Sequence, residues 1–360
     1  MSRIVDYFKL GRKYFSKHQP LAMIYFVTKR CNAKCMHCFY WDDLNKTNLN
    51  ELKINEIERI ADSTGKLLYL RLSGGEPFIR QDLFDLVRVF VEKCSPSFVG
   101  IPTNGFYTDR IVRFAEKAGV FNTRIEIGVS IDDLREHHDK IRGSRLAFEN
   151  AINTFKELKR IQSRTRNLRI GFITTAVKSN QTRLVEIFEY LKALEPDSIS
   201  CNIVRGDTRD RGEKEFNMHS SKHFNDLCDE YNDTRVKKRR DLFSRMRQAK
   251  TLYAHEIRQK MIETDTFQIP CVAGSKIVVL YAEGEVYPCE TLDFEIGNVR
   301  DYDLDIRRLL QSSRAASIQN KIISGNCFCS HECFTTASIV FSKKQLLKVA
   351  GRALSPRMFG

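Results

Sequence analysis

Cys31, Cys35 and Cys38 stand within eight residues near the start of the chain, in the stretch Thr28-Lys-Arg-Cys31-Asn-Ala-Lys-Cys35-Met-His-Cys38. Three thiolates on so short a loop can each take one iron of a cubane cluster, whose usual complement is four cysteines. No fourth cysteine is near, so one iron is left open to a small ligand. Structural zinc is the competing use, with His37 as a fourth ligand, although zinc sites more often pair two CxxC units. A second group, Cys271, Cys289, Cys327, Cys329 and Cys333, occupies the last quarter of the chain. Its thiols suffice for one fully ligated [4Fe–4S] cluster, or for zinc held by Cys₄ or Cys₃His. Cys94, Cys201 and Cys228 stand alone and read as small buried apolar residues.

Composition bounds what surrounds these groups. The chain has 360 residues, long enough for one large domain and a small one, and 11 cysteines. Hydrophobic residues at 42% and charged residues at 29% suit a protein with a buried core, and 18 glycines with 8 prolines exclude collagenous classes. No stretch approaches the ~20 apolar residues of a membrane span. The opening residues also lack the pattern of a signal peptide. Clustered cysteines therefore point to metal in a reducing, cytoplasmic compartment rather than to disulfides. A net charge of +14, from 59 basic and 45 acidic residues, favours an anionic partner or substrate.

The elements that must position the cysteines form a repeat. Candidate strands at Met23–Thr28, Leu67–Leu72, Phe98–Pro102, Arg124–Ser130, Leu168–Ala176 and Ser198–Val204 alternate with amphipathic helical stretches. The helices are expected at Ile54–Thr64, Leu83–Lys93, Arg110–Ala118, Leu146–Ile161 and Arg183–Leu194. Strand–helix repeats of this length predict an α/β domain with parallel strands, here a partial (β/α)6 barrel. Active sites of such folds gather at the carboxyl ends of the strands. Beyond it come a polar, basic helical stretch and then a hairpin pattern at Ile277–Tyr281 and Val286–Tyr287. The expected domains are an N-terminal helical extension over 1–20, the barrel over 21–210, and a basic helical linker over 211–265. A small α+β domain over 266–342 and a basic tail over 343–360 complete the chain.

The CxxxCxxC loop directly after the first strand resembles the signature of the radical S-adenosylmethionine (SAM) superfamily. Ser73-Gly74-Gly75-Glu76-Pro77 follows the second strand, where that family carries a GGE segment. Glycines there let backbone approach a ligand closely, and Glu76 can accept a hydrogen bond from the SAM ammonium. Thr103-Asn104-Gly105, Ser130-Ile131-Asp132 and His138-Asp-Lys-Ile-Arg142-Gly143 follow in the family's order. The resemblance implies that Ser130 contacts the SAM ribose, that Arg142 pairs with its carboxylate, and that Asn104 lines the same pocket. Each residue also has an ordinary reading as turn chemistry. The implied reaction is reductive cleavage of SAM to a 5′-deoxyadenosyl radical, which removes a hydrogen atom from the substrate; the protein positions the reactants and excludes water.

Pro270-Cys271-x₂-Gly274 and Gly284-x₄-Cys289 resemble the opening of the auxiliary-cluster domains, SPASM or the shorter twitch, that follow many radical SAM barrels. A full SPASM domain continues with more cysteines than Cys327-Phe-Cys329-Ser-His-Glu-Cys333 supplies. The expectation is one auxiliary [4Fe–4S] cluster held by Cys271, Cys289 and two of the last three, with Cys333 favoured. His331 and Glu332 are substitutes or supporting groups. Such a cluster would bind substrate or accept an electron.

The family resemblance further implies an electron donor, either a reductase or a flavodoxin or ferredoxin. The substrate is expected to be a peptide or a small polar metabolite such as a sugar or nucleotide derivative. The stretch before residue 20 leaves no room for a separate leader-peptide-binding domain, which weakens the peptide option without removing it. RNA and lipid substrates are alternatives, but no nucleic-acid module accompanies the basic residues. The N-terminal stretch reads as a docking helix, with peripheral membrane contact as the alternative. A non-catalytic zinc or iron module is the remaining reading; it has no use for Glu76.

Overall fold

The computed structural model describes residues 19–235, 242–264, 266, 268–326 and 331–354. Two compact units divide these residues. The first comprises Ile24–Arg235 and Leu280–Gly284. The second takes the rest.

In the first unit the strands are β1 (Ala22–Phe26), β2 (Tyr69–Ser73), β3 (Phe98–Thr103), β4 (Arg124–Ser130), β5 (Leu168–Ala176) and β6 (Ser198–Ile203). They lie in the order β6-β5-β4-β3-β2-β1, and the pairs β2–β3, β3–β4, β4–β5 and β5–β6 are parallel. Helices α1 (Ile54–Thr64), α2 (Leu83–Cys94), α3 (Thr108–Lys117), α4 (Arg135–Arg142), α5 (Ala147–Gln162) and α6 (Leu184–Ala193) connect them. This is the expected strand–helix repeat. Period-two alternation decides the faces. Along β4, Ile125, Ile127 and Val129 are buried while Arg124, Glu126, Gly128 and Ser130 are half-buried. The apolar face meets the helices: Phe172 of β5 stacks on Phe155 of α5 with ring centroids 4.3 Å apart. Burying one such ring contributes about 1.5–3 kcal/mol. Ser130 ends β4 on the opposite face, together with the charged side chains.

The expected boundary at residue 210 cuts through packed structure. Helix α7 (Met218–Arg235) lies on β6, where Asn232 donates to Ile199 O at 2.8 Å and accepts from Ile199 N at 2.9 Å. Phe224, Cys228 and Tyr231 are its buried face, and Phe224 meets Phe188 of α6 edge-on. In the sequence these apolar positions are diluted by polar neighbours, so the stretch reads as a solvated linker. The second half of that stretch, α8 (Leu242–Thr264), belongs to the second unit.

There α8 packs against α11 (Glu332–Val340) and α12 (Lys343–Leu354), burying Tyr253, Ile257 and Met261 with Ile339, Val349 and Ala353. The expected basic tail is thus a packed helix as far as Leu354. Strands β7 (Ile277–Leu280), β8 (Glu285–Tyr287) and β9 (Gly297–Asn298) follow one another in order, β8 and β9 antiparallel. Helices α9 (Ile306–Leu310) and α10 (Ser313–Lys321) precede α11. The expected N-terminal helix and the run of basic residues after Arg235 lie outside the described residues. Among those described, no helix is long and apolar enough to cross a membrane.

Candidate functional site

The cysteine loop leaves β1 and is held at every step. Cys31 and Asn45 bond reciprocally, Cys31 N–H to Asn45 Oδ1 at 3.0 Å and Asn45 Nδ2 to Cys31 O at 2.9 Å. Lys34 and Met36 donate their backbone N–H groups to the carbonyls of Arg142 and Ile141, at 3.0 and 2.9 Å. The arginine–glycine turn is therefore the buttress of the loop. Gly143 sits at φ 57°, and a Cβ there would lie 2.6 Å from Lys34 O, so only glycine permits the approach. Burial pushes the Cys31 thiol up to about 12 and the Cys38 thiol up to about 11, and raises that of Cys35. Such thiols are poor nucleophiles; they become thiolates when a metal cation takes the proton's place. Among the described residues no three His, Cys, Asp or Glu side chains converge on a single metal ion. Thiols serving three different irons of a cubane need not converge.

The second and third motifs form one unit across neighbouring strand ends. Gly74 and Gly75 cross the start of the cysteine loop: Gly75 N–H donates to Thr28 O at 2.9 Å, and Glu76 N–H to Arg30 O at 2.8 Å. A Cβ on Gly75 would lie 2.0 Å from Arg30 O. The Glu76 carboxylate is 2% exposed and accepts from Thr103 Oγ1 (2.8 Å), Asn104 N (2.7 Å) and Phe78 N (3.2 Å). Desolvation outweighs these bonds and lifts Glu76 to about 7. Asn104 reaches back to the cysteine loop, its Nδ2 donating to Asn32 Oδ1 at 2.8 Å.

Arg142 and Asp132 form a buried ion pair beside the loop. Arg142 Nε lies 2.7 Å from Asp132 Oδ2, and Arg142 Nη1 donates to Cys35 Sγ at 3.7 Å. Asp132 Oδ1 accepts from Thr175 N at 2.8 Å, and His37 Nε2 lies 3.6 Å from Oδ2. Burial alone would raise the Asp132 carboxyl; Arg142, His37, His138 and the Thr175 N–H together outweigh it and hold it below the ordinary carboxylate range. Burial drives His37 down, and His138 down to about 3. His138 is accordingly neutral, its Nδ1 accepting from Asp132 N–H at 3.0 Å. Sequence reasoning singled out Arg142 but assigned Asp132 and Asn45 no partner. Asn45 stands fourteen residues past Cys31, and Asp132 follows a different strand, so no periodic signal joins them to the loop.

In the second unit, Cys289 is buried and its thiol raised by that burial, with Thr291 Oγ1 3.5 Å from Sγ. Cys333 lies in the first turn of α11, whose N-cap is His331. Val272, next to Cys271, donates its N–H to Ser338 Oγ of the same helix at 3.2 Å. Cys327 and Cys329 lie outside the described residues.

A parallel partial barrel with three cysteines after its first strand, a buried glutamate after the second and a cysteine-bearing second unit defines a class: radical SAM proteins with an auxiliary iron–sulfur domain. Residues 25–175 match the radical SAM superfamily and residues 271–334 the iron–sulfur cluster-binding SPASM domain, and the chain belongs to that superfamily. Fe-coproporphyrin III synthase of Methanosarcina barkeri is 31% identical over 182 residues, 49% of this chain and 42% of that protein. AdoMet-dependent heme synthase of the same organism is 26% identical over 294 residues, 78% of this chain and 80% of that one. The chain thus spans less than half the length of the first relative. Streptococcus suis SuiB, solved with S-adenosylmethionine, shares the fold at a TM-score of 0.61 and 17% identity, over 86% of this chain and 70% of SuiB. The cofactors of this domain pair are a SAM-binding [4Fe–4S] cluster, S-adenosylmethionine and auxiliary iron–sulfur, and the desolvated thiols at both ends of the chain fit them.

Proposed function

We propose that the chain is a radical SAM oxidoreductase or maturase acting on an anionic substrate. When bound, the reduced cluster and SAM supply a 5′-deoxyadenosyl radical for hydrogen-atom abstraction. Cys31, Cys35 and Cys38 hold three irons, and the closely approaching backbone of Gly74 and Gly75 forms the wall beside them. Glu76 has lone pairs left after its three hydrogen bonds and accepts from the SAM ammonium. Ser130 and Asn104 line the pocket. Arg142, held by Asp132, presents its remaining N–H groups to the SAM carboxylate, a task that suits a guanidinium fork. Cys271, Cys289 and Cys333, with Cys327 or Cys329, would hold an auxiliary cluster that would bind substrate or take up an electron, and a flavodoxin, ferredoxin or reductase would deliver the first one.

The anionic substrate is supported by the net charge of +14. Two of the relatives are named as synthases of Fe-coproporphyrin III and of heme, and SuiB has been solved with a precursor peptide. A carboxylate-bearing metabolite and an acidic peptide share the anionic chemistry that a basic chain attracts.

The observation that carries the reading is the hydrogen-bonded joining of the cysteine loop to Glu76 and Asn104. Its test is anaerobic: reconstitute with iron and sulfide, reduce, add SAM and measure 5′-deoxyadenosine. Wild type forms it and Cys35→Ala does not. Absence of product from the iron-loaded wild type, or equal product from Cys35→Ala, overturns the proposal.

A further inference from the structure

Two side chains of the second unit meet next to cysteines that sequence reading could only list. Glu290 follows Cys289, and His331 stands two residues before Cys333. His331 Nε2 lies 2.5 Å from Glu290 Oε2, across 41 residues of chain, with the two side chains 3% and 5% exposed. The other ring nitrogen, Nδ1, accepts the N–H of Cys333 at 3.3 Å and so caps α11. A nitrogen that accepts carries no proton, so the ring proton is on Nε2 and is donated to the carboxylate. The ring is fixed further by Phe334, edge-on at a centroid distance of 4.9 Å, and the His331 carbonyl accepts from Thr335 N at 3.0 Å.

We propose that the Glu290–His331 pair is the clasp that positions Cys289 and Cys333 for the auxiliary cluster, and that His331 is a positioning residue rather than a ligand. The inference rests on the reading of the C-terminal cysteines as cluster ligands. An imidazole binds metal through an in-plane lone pair; here one is spent on the Cys333 N–H and the other position holds a proton. A buried carboxylate and its imidazole donor each lose a short hydrogen bond when the other is removed, at a desolvation cost. One contact therefore locks the segment carrying Cys289 to the helix carrying Cys333. The Val272–Ser338 bond refers Cys271 to the same helix. The three described cysteines of the unit thus share one frame before any iron is bound, and groups of this kind beyond the ligands govern metal retention and potential.

The test uses the full chain, reconstituted anaerobically, with four variants: Glu290→Leu, Glu290→Gln, Cys333→Ala and Cys35→Ala. Wild type is expected to hold about eight irons, four per cluster. Glu290→Leu removes the acceptor and loses about half of that iron, or keeps it with a shifted auxiliary potential in an EPR-monitored titration. Glu290→Gln keeps an oxygen facing Nε2–H and restores wild-type iron and potential. The reduced auxiliary cluster of Cys35→Ala shows no nitrogen coupling of the strength of a metal-bound imidazole in pulsed EPR. Wild-type iron and potential in Glu290→Leu, loss of the auxiliary iron in both Glu290 variants, or a strong imidazole coupling overturns the proposal. Cys333→Ala with undiminished iron overturns the underlying cluster reading and the clasp with it, an outcome distinct from the others.

Discussion

Arg142 Nε lies 2.7 Å from Asp132 Oδ2 at the end of a strand where neither side chain reaches solvent freely, and the same guanidinium points Nη1 at Cys35 Sγ. The Nε–H is not directed at that oxygen, so the contact is ionic rather than a linear hydrogen bond. One cation thus serves a carboxylate and a thiol of the cysteine loop together.

Breaking that pair from either side leaves a buried charge. Asp132→Asn and Arg142→Met should each cost about 3–5 kcal/mol in the metal-free chain. The double variant should cost less than the sum, with a coupling of about 0.5–3 kcal/mol. Urea unfolding of the four proteins measures the cycle; strict additivity would show that the pair does not act as one.

Glu76 makes stability depend on pH in a stated direction. Its carboxyl titrates at about 7 in the folded chain against 4.5 ordinarily, because burial disfavours the charged form. Below 4.5 both states are protonated and the group costs nothing. As pH rises to 7 the unfolded chain ionises first, so stability falls, by about 3 kcal/mol in all, and is level above. The unfolding free energy of wild type minus that of Glu76→Gln should therefore fall by about 3 kcal/mol across pH 4.5–7. A difference independent of pH would contradict the assignment.

Two glycines on neighbouring strands predict opposite outcomes. Gly75→Ala puts a Cβ 2.0 Å from Arg30 O and 3.1 Å from Cys31 Cβ, so the cysteine loop must move. It should lose about half of the reconstituted iron, the share of one of two [4Fe–4S] clusters. In Gly100→Ala the nearest atom is 3.7 Å away, an ordinary contact, and iron content should match wild type. Iron analysis of the two purified variants decides.

Helix α7 belongs to the barrel, and its core contact should show it. Phe224 is fully buried against Phe188. Phe224→Ala should cost about 3–5 kcal/mol in the barrel's unfolding transition. A solvated linker would give a change within about 0.5 kcal/mol.

What the sequence determined by itself is local. The cysteine spacing, the glycine pair before Glu76 and the strand–helix period each repeat over a few residues, and backbone geometry alone turns such patterns into a loop on a strand end. Six strands of the barrel and the superfamily were legible for that reason. Pairings set by register and chain closure were not. Asp132 with Arg142, Glu76 with Thr103 and Asn104, and Glu290 with His331 depend on which strand or helix ends arrive side by side. Lys29 bonds Glu283 across 254 residues, within the first unit, because Leu280–Gly284 returns to it. Helix α7 was misread for the same physical reason: an apolar face diluted among polar residues becomes visible only when the strand it covers is present. Tertiary structure alone decided which charged groups are desolvated, and hence which of the residues legible in the chain share a site.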